Sequence, residues 1–139
     1  MDYVYIGKIV NTHGIKGELR IRSNFDKKDL VFKPGYTLYI GEGHVPEKIT
    51  TYRVHKEFDM VTFEGYNNIN QVLNYLKMNV YIKRSDLELN QDEYILDDLI
   101  GLNVVENGES LGKVSEIVYN GINVLLSILG ENNFYIPKN

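Results

Sequence analysis

A short glycine-punctuated segment near the start of the chain, residues 7–22, concentrates side chains that could bind anions or move protons. Its chemically active side chains are His13, Lys16, Arg20 and Arg22. Lysine and arginine neutralise phosphate, and histidine can act as a general base near neutral pH. Gly14 and Gly17 supply positions where a left-handed backbone costs little, so we predict a loop of defined shape.

Several kinds of site use such a loop. Residues 14–17 spell the GxxG of a KH domain, but that loop joins two helices, whereas the flanks here predict strands. A Walker-type phosphate loop needs a following helix and a Lys-Ser or Lys-Thr pair, and the segment has neither. As a general base, His13 lacks a carboxylate or nucleophile close in sequence. A tight barrel corner and a basic contact surface both remain open.

The segments on both sides of this loop are predicted to be strands. Residues 18–22 alternate charged and apolar side chains, and residues 3–10 are apolar on both faces except at Lys8. Further short strands are predicted at 36–40, 49–55, 60–63 and 80–82, and the spacing of apolar residues predicts an amphipathic helix over 68–77. Beyond these, Asn107-Gly108 and Asn120-Gly121 are typical of turns between strands.

The predicted fold is therefore mainly β, with two small antiparallel β-barrels joined by a short linker and one short helix near the end of the first. We place the domains at residues 1–85 and 92–139. Residues 1–85 carry 13 Lys and Arg against 9 Asp and Glu, a net charge of +4. Residues 86–139 carry 2 against 10, a net charge of −8, so the halves suit partners of opposite charge.

Composition excludes several classes of site and of protein. The chain has no cysteine, and its three histidines, His13, His44 and His55, are far apart in sequence. We therefore expect no metal and no cofactor. No apolar run approaches the roughly 20 residues that a bilayer requires, and the first residues do not resemble a signal peptide. A cytoplasmic protein is the expectation.

Two ordered sets of motifs resemble one known family across nearly the whole chain. Residues 7–21, GKIVNTHGIKGELRI, look like the opening signature of the ribosome maturation factor RimM family. The second half is similar to the PRC-barrel domain of that family through Asp92-Glu93-Tyr94, residues 98–101, residues 111–114 and Asn120-Gly121. The resemblance implies an N-terminal RimM barrel, a C-terminal PRC barrel and no enzymatic activity.

The resemblance also implies what the protein binds. The expected partners are the immature 30S subunit with its 16S rRNA and the nineteenth small-subunit ribosomal protein, a basic protein of the subunit head. For this chain we expect a monomer that makes no membrane contact. We expect rRNA or subunit contacts at His13, Lys16, Arg20 and Arg22, with Gly14 and Gly17 shaping the loop. We expect the ribosomal-protein site at Tyr94, Ile95 and Asp98.

This chain departs from the family pattern at three places. The family often has an Asn-Asp-Val run after the second Asn-Gly turn, and this sequence keeps Asn123 but lacks the Asp. The family usually shows two adjacent tyrosines where this sequence has Tyr94-Ile95, so only the first tyrosine carries over. The family also continues past the Ile136-Pro137 pair, whereas this sequence ends at Asn139. We therefore expect a shortened second barrel.

Two other functions remain open at this point. One is a small ligand-binding barrel or enzyme that uses the His13 loop, which a deep apolar pocket with converging polar groups near His13 would favour. The other is a generic PRC-type interaction module unconnected to ribosomes.

Overall fold

The computed structural model describes residues 2–120 and 123–138. Strands dominate them, and they form two antiparallel sheets, which confirms the predicted mainly β fold. The chain divides into two compact units, residues 1–88 and residues 89–139, which are called the first and second units below.

The first unit contains six strands and one short α-helix. The strands are β1 (Tyr3–His13), β2 (Glu18–Arg22), β3 (Thr37–Ile40), β4 (Val45–His55), β5 (Phe58–Phe63) and β6 (Asn79–Lys83), and the helix is α1 (Lys28–Val31). Single 3-10 turns lie at Ile69–Gln71, Leu73–Tyr75 and Arg84–Asp86.

The six strands close into a barrel in the order β1-β2-β5-β4-β3-β6. Every neighbouring pair is antiparallel, and β1 pairs with β2 along one edge and with β6 along the other. Side chains alternate along each strand between the interior and the outer surface. The interior is filled by aliphatic and aromatic side chains that are almost fully buried, among them Ile9, Leu19, Ile21, Leu38, Val61 and Phe63.

The segment predicted as one helix over 68–77 is instead a pair of separate 3-10 turns. Val72 lies between them with φ −112° and ψ 0°, which interrupts helical hydrogen bonding. The side chain of Gln71 turns back, and its Oε1 accepts hydrogen bonds from the amides of Asn67 and Asn68. The segment is rich in asparagine, a residue that favours turns over helix interiors, and this explains why the apolar spacing did not produce an α-helix.

A buried carboxylate ties this pair of turns to the barrel. Glu47 is 8% exposed and accepts a hydrogen bond from the hydroxyl of Tyr66 at 2.6 Å and another from the hydroxyl of Tyr75. Burial, followed by the hydrogen bond to Glu47, raises the pKa of Tyr75. A buried charge is tolerated when donors satisfy it, so the two tyrosines stabilise the carboxylate and hold the pair of turns against the barrel.

A second buried carboxylate ties α1 to the barrel, and the sequence did not predict this helix. Asp59 is 2% exposed, with Lys28 Nζ 2.9 Å from its Oδ2 and the Tyr52 hydroxyl donating to its Oδ1 at 2.6 Å. Phe32, directly after α1, stacks on Tyr52 with ring centroids 5.7 Å apart. Asp59 lies opposite Val54 of β4, and Val54 is seven residues from Glu47 along the same strand. The two buried carboxylates are therefore separated by roughly 23 Å of strand.

The second unit is a curled four-stranded sheet with the order β10-β9-β8-β7. The strands are β7 (Asn103–Glu106), β8 (Glu109–Asn120), β9 (Asn123–Leu129) and β10 (Phe134–Lys138), and a 3-10 turn at Leu96–Leu99 precedes them. Among the described residues of this unit, the buried apolar ones are Ile95, Leu96, Val114 and Ile128.

Of the two turns predicted in the second unit, only the one at Asn107-Gly108 lies wholly within the described residues. Asn107 and Gly108 both have positive φ, 53° and 83°, and they join β7 to β8 as a tight hairpin turn. The turn predicted at Asn120-Gly121 lies at the edge of the described residues, and Gly121 is outside them.

Loss of the Tyr75 hydroxyl should destabilise the first unit. We expect Tyr75→Phe to lower the free energy of unfolding by about 1–3 kcal/mol, because the buried Glu47 carboxylate loses a donor. The matched control is Tyr81→Phe, since the Tyr81 hydroxyl donates at 2.7 Å to the exposed Glu42 and its loss should cost under about 0.5 kcal/mol. Urea denaturation measures both, and equal losses would contradict the role given to Glu47.

Candidate functional site

The loop between β1 and β2 has a defined conformation because it packs on the first 3-10 turn. The amide of Ile69 donates to the carbonyl of Ile15 at 2.9 Å. Gly14 and Gly17 have φ of +72° and +92°, which L side chains adopt only with strain. At Gly17 a Cβ would also lie 3.3 Å from the carbonyl oxygen of Asn68. The two glycines predicted to shape the loop therefore both occupy left-handed positions.

Two arginines of β2 lie against one aromatic ring on the outer surface of the barrel. The guanidinium carbon of Arg20 is 5.0 Å from the centroid of Phe58, and that of Arg22 is 5.6 Å from it. Both distances are within the range of cation–π attraction. Phe58 begins β5, which pairs with β2, so the sheet register brings the three side chains together.

Arg20 also holds the ring of His13. Its Nη2 lies 3.2 Å from Nδ1 of His13, and a guanidinium can only donate, so this nitrogen accepts and the ring proton sits on Nε2. The ring of His55 lies 5.2 Å from the ring of His13, centroid to centroid. Desolvation by burial is the largest cause of the lowered pKa of His55, and the cations Arg53, Lys56 and Arg20 lower it further.

The carboxylate of Glu18 lies beside these cations and is paired. Arg53 donates from Nε to Oε2 of Glu18 at 2.9 Å and from Nη2 to Oε1 at 2.7 Å. This two-pronged hydrogen bond is the largest cause of the lowered pKa of Glu18, and it raises the pKa of Arg53. The pair fixes both side chains on the outer face of the barrel.

We call this surface the basic cluster. It comprises His13, Arg20, Arg22, Arg53, His55, Lys56 and Phe58, and its positive charge lowers the pKa of His55 through Arg53, Lys56 and Arg20. Three of the four predicted rRNA contacts, His13, Arg20 and Arg22, are therefore brought together. Arg53, His55 and Phe58 were not predicted, although the polar positions of residues 51–55 mark an exposed strand face.

The fourth predicted contact, Lys16, lies on a groove beside the loop. This groove, called the loop groove below, has a volume of about 450 Å³, is open to solvent and has a mostly apolar lining. It is lined by His13, Gly14, Ile15, Lys16, Glu18 and Thr62. His13 belongs to both features, so the loop groove and the basic cluster are continuous.

The three residues predicted to bind a ribosomal protein differ in exposure. Tyr94 is 41% exposed, and Nζ of Lys138 lies 5.8 Å from its ring centroid. Asp98 is also exposed, and its Oδ2 accepts a hydrogen bond from the amide of Ile95 at 3.3 Å. Ile95 itself is fully buried in the core of the second unit. The expectation of a direct contact at Ile95 is therefore corrected, because its side chain anchors the segment that presents Tyr94.

Neither a cluster of metal-binding side chains nor a membrane-spanning helix is found among the described residues. Within residues 2–120 and 123–138, no group of three or more His, Asp or Glu side chains could hold a metal ion. No helix in the same residues has the length and apolar character needed to cross a bilayer.

The Glu18–Arg53 pair should make stability depend on pH in the acid range. The pKa of Glu18 is lowered in the folded protein, so its stabilisation is complete above the ordinary carboxyl pKa and is lost as pH falls through the lowered value. Glu18→Gln should therefore lower the melting temperature at neutral pH, and the difference from wild type should vanish in acid. Glu57→Gln, at an exposed turn position, is the charge-matched control. A difference that persists in acid would contradict the pairing.

Comparison with known proteins identifies the family. A family model described as the RimM N-terminal domain matches residues 4–87. The ribosome maturation factor RimM of Staphylococcus haemolyticus is 42% identical over 139 residues, covering 96% of this chain and 83% of that protein. The protein of the same name from a Bacillus cereus strain is 44% identical over 124 residues, covering 85% of this chain and 72% of its own length.

Solved structures agree in fold. A Pseudomonas aeruginosa protein named as a 16S ribosomal RNA processing protein RimM aligns with a TM-score of 0.56 at 23% identity, covering 98% of this chain and 85% of that one. The N-terminal domain of RimM from Thermus thermophilus aligns with a TM-score of 0.54 at 25% identity, covering 64% of this chain and 98% of that domain. The matched domain and the identities above 40% over most of the sequence show that this chain belongs to the RimM family of ribosome maturation factors.

Proposed function

We propose that this chain is a non-enzymatic assembly factor for the 30S subunit head that assists 16S rRNA processing. In this proposal the first unit contacts the rRNA of the immature subunit, and the second unit binds the nineteenth small-subunit ribosomal protein. Membership of a family of ribosome maturation factors supports the general role. The basic cluster of the first unit and the exposed Tyr94 of the second unit support the assignment of one partner to each unit.

The observation that carries the proposal is the basic cluster. Arg20 and Arg22 stack on Phe58, so their charges are held in place and have little side-chain freedom left to lose when they bind phosphate. Arginine binds phosphate through several donors, and cations beside an aromatic ring are typical of surfaces that bind single-stranded nucleic acid. The cluster thus supports contact with the RNA backbone.

The second unit has the opposite character. Residues 89–139 carry two Lys and Arg against eight Asp and Glu, and four of the acidic residues, Asp92, Glu93, Asp97 and Asp98, surround Tyr94 in sequence. An exposed tyrosine brings contact area at low entropic cost, and acidic neighbours speed encounter with a basic protein and orient it. We therefore place the ribosomal-protein contact at Tyr94 and Asp98.

Differential affinity would supply the mechanism. A factor that bound the immature and mature subunits equally would shift neither, so this protein must bind the immature conformation more tightly. Loss of the rRNA contact or of the ribosomal-protein contact as the head matures would supply that difference in affinity. Release on maturation would then follow. Such a factor works in the cytoplasm, and we propose that it acts as a monomer.

The loop groove favours one alternative, a small ligand-binding barrel that uses His13. Against a catalytic role, His13 Nδ1 accepts a hydrogen bond from Arg20, and both oxygens of nearby Glu18 accept from Arg53. These groups are held by permanent cations and are poorly suited to exchange protons. We therefore assign the groove to recognition rather than catalysis. The other alternative, a generic PRC-type interaction module, does not account for the basic cluster.

Tyr94 should be the anchor for the ribosomal protein. From a lysate, wild-type protein should recover the nineteenth small-subunit ribosomal protein or immature 30S particles, and Tyr94→Ala should recover at least about tenfold less of the ribosomal protein. Tyr135→Ala is the matched control, since Tyr135 is an exposed tyrosine of the same unit. Recovery of no ribosomal component by wild type would refute the assembly role, and equal recovery by the Tyr94 and Tyr135 variants would remove Tyr94 as an anchor.

The basic cluster should set the salt dependence of binding to immature particles. Arg22→Gln should weaken binding and make the slope of log K against log salt less negative by about 0.7–0.9, the range for one lost phosphate contact. Lys48→Gln removes a charge from an exposed position on β4 of the same barrel and should leave the slope unchanged. An unchanged slope with Arg22→Gln would show that the cluster does not contact phosphate.

A further inference from the structure

We propose that the loop groove holds one unpaired RNA base, while the phosphates on either side of that base lie on the basic cluster. This inference rests on the proposed contact with rRNA and makes the ligand specific: a bulged, looped or single-stranded nucleotide rather than a continuous duplex. The proposal gives a role to the exposed Ile15, an apolar side chain that contacts with phosphate alone would not explain.

The shape and lining of the groove suit a flat aromatic ligand. Its volume of about 450 Å³ is within the roughly 300–1,000 Å³ of small-molecule sites. His13 and Ile15 both line the groove, and Ile15 is 76% exposed. An imidazole and an aliphatic side chain offer a base apolar contact on its face, and base stacking on protein rings is a principal source of affinity for unpaired nucleotides.

The charges around the groove suit the backbone of the same nucleotide. Lys16 lines the groove, and Arg20 contacts His13 at the point where the groove meets the basic cluster. Glu18 also lines the groove, but both of its carboxylate oxygens accept hydrogen bonds from Arg53, which compensates its charge. The surface thus combines one apolar recess with cations beside it, the combination that an acidic backbone with a protruding base requires.

A duplex would not use this recess. In A-form RNA each base is stacked between neighbours and presents only an edge, so its face cannot enter a groove. An unpaired base can leave the stack and insert its whole ring. The loop is held by the Ile69–Ile15 hydrogen bond and by left-handed Gly14 and Gly17, so the recess exists before the ligand arrives and little ordering is required on binding.

A bulged RNA and its abasic counterpart test the inference on the full chain. The two probes are hairpin RNAs of the same sequence that differ only in a single bulged adenosine, which in the second probe is replaced by an abasic nucleotide. Both retain the bulge, the phosphates and the bend. We expect the adenosine to tighten binding about tenfold, the effect of one stacked base, with the same salt slope for both probes.

Variants locate the base in the groove. Ile15→Ser should abolish most of the preference for the adenosine probe and leave the affinity for the abasic probe unchanged. Val45→Ser, at an exposed apolar position of the same barrel outside the groove, should retain the preference. Circular dichroism and thermal melting confirm that each variant folds.

The outcomes separate this inference from the proposed function. Salt-dependent binding of both probes with equal affinity would overturn the base site and leave the rRNA contact standing. Absence of binding to either probe and to immature particles would overturn both. If Ile15→Ser left the RNA preference intact and reduced recovery of a ribosomal protein, the groove would bind a peptide and the inference would be wrong.

Discussion

The pairing of β1 with both β2 and β6 is the constraint on which the rest of the first unit depends. It joins the first strand of the barrel to the last, so the sheet has no free edge and each strand has a defined inner and outer face. Aliphatic side chains of β1, β2 and β5 fill the interior. Arg20, Arg22 and Phe58 are left outside, where the register of β2 and β5 places them in contact.

Two connections between strands are as important as the strands, because each carries a side chain that satisfies a buried carboxylate. Glu47 receives hydroxyl donors from Tyr66 and Tyr75, and Asp59 receives Lys28 and Tyr52. Removal of one partner from a buried carboxylate is costly, which favours one position for each connection. The connection between β5 and β6, which satisfies Glu47, also supports the β1–β2 loop through the hydrogen bond from Ile69. The shape of the loop groove therefore depends in part on the hydrogen bonds to the buried Glu47.

The sequence predicted best what depends on local pattern. Alternation over residues 18–22 and the glycines at 14 and 17 predicted the first hairpin, and Asn107-Gly108 predicted the turn of the second sheet. The helix predicted over 68–77 was wrong because apolar spacing was weighed above the turn-forming asparagines of that segment. Here local hydrogen bonds to the Gln71 side chain compete successfully with the helix.

What could not be predicted depends on contacts distant in sequence. Arg53 meets Glu18 across 35 residues, and Phe58 meets Arg20 only because β5 pairs with β2. Ile95 lies next to an exposed tyrosine in sequence, but its side chain enters the core of the second unit. A motif indicates that such a segment matters, and burial decides which of its side chains a partner can reach.

We propose that the two units contact different classes of macromolecule, RNA by the first and protein by the second. Photocrosslinking on immature 30S particles tests it most directly, with a photoreactive amino acid in place of Lys16 in one variant and of Tyr94 in another. We expect crosslinks to 16S rRNA from position 16 and to a small-subunit ribosomal protein from position 94. Crosslinks to protein alone from position 16, or to RNA alone from position 94, would contradict it.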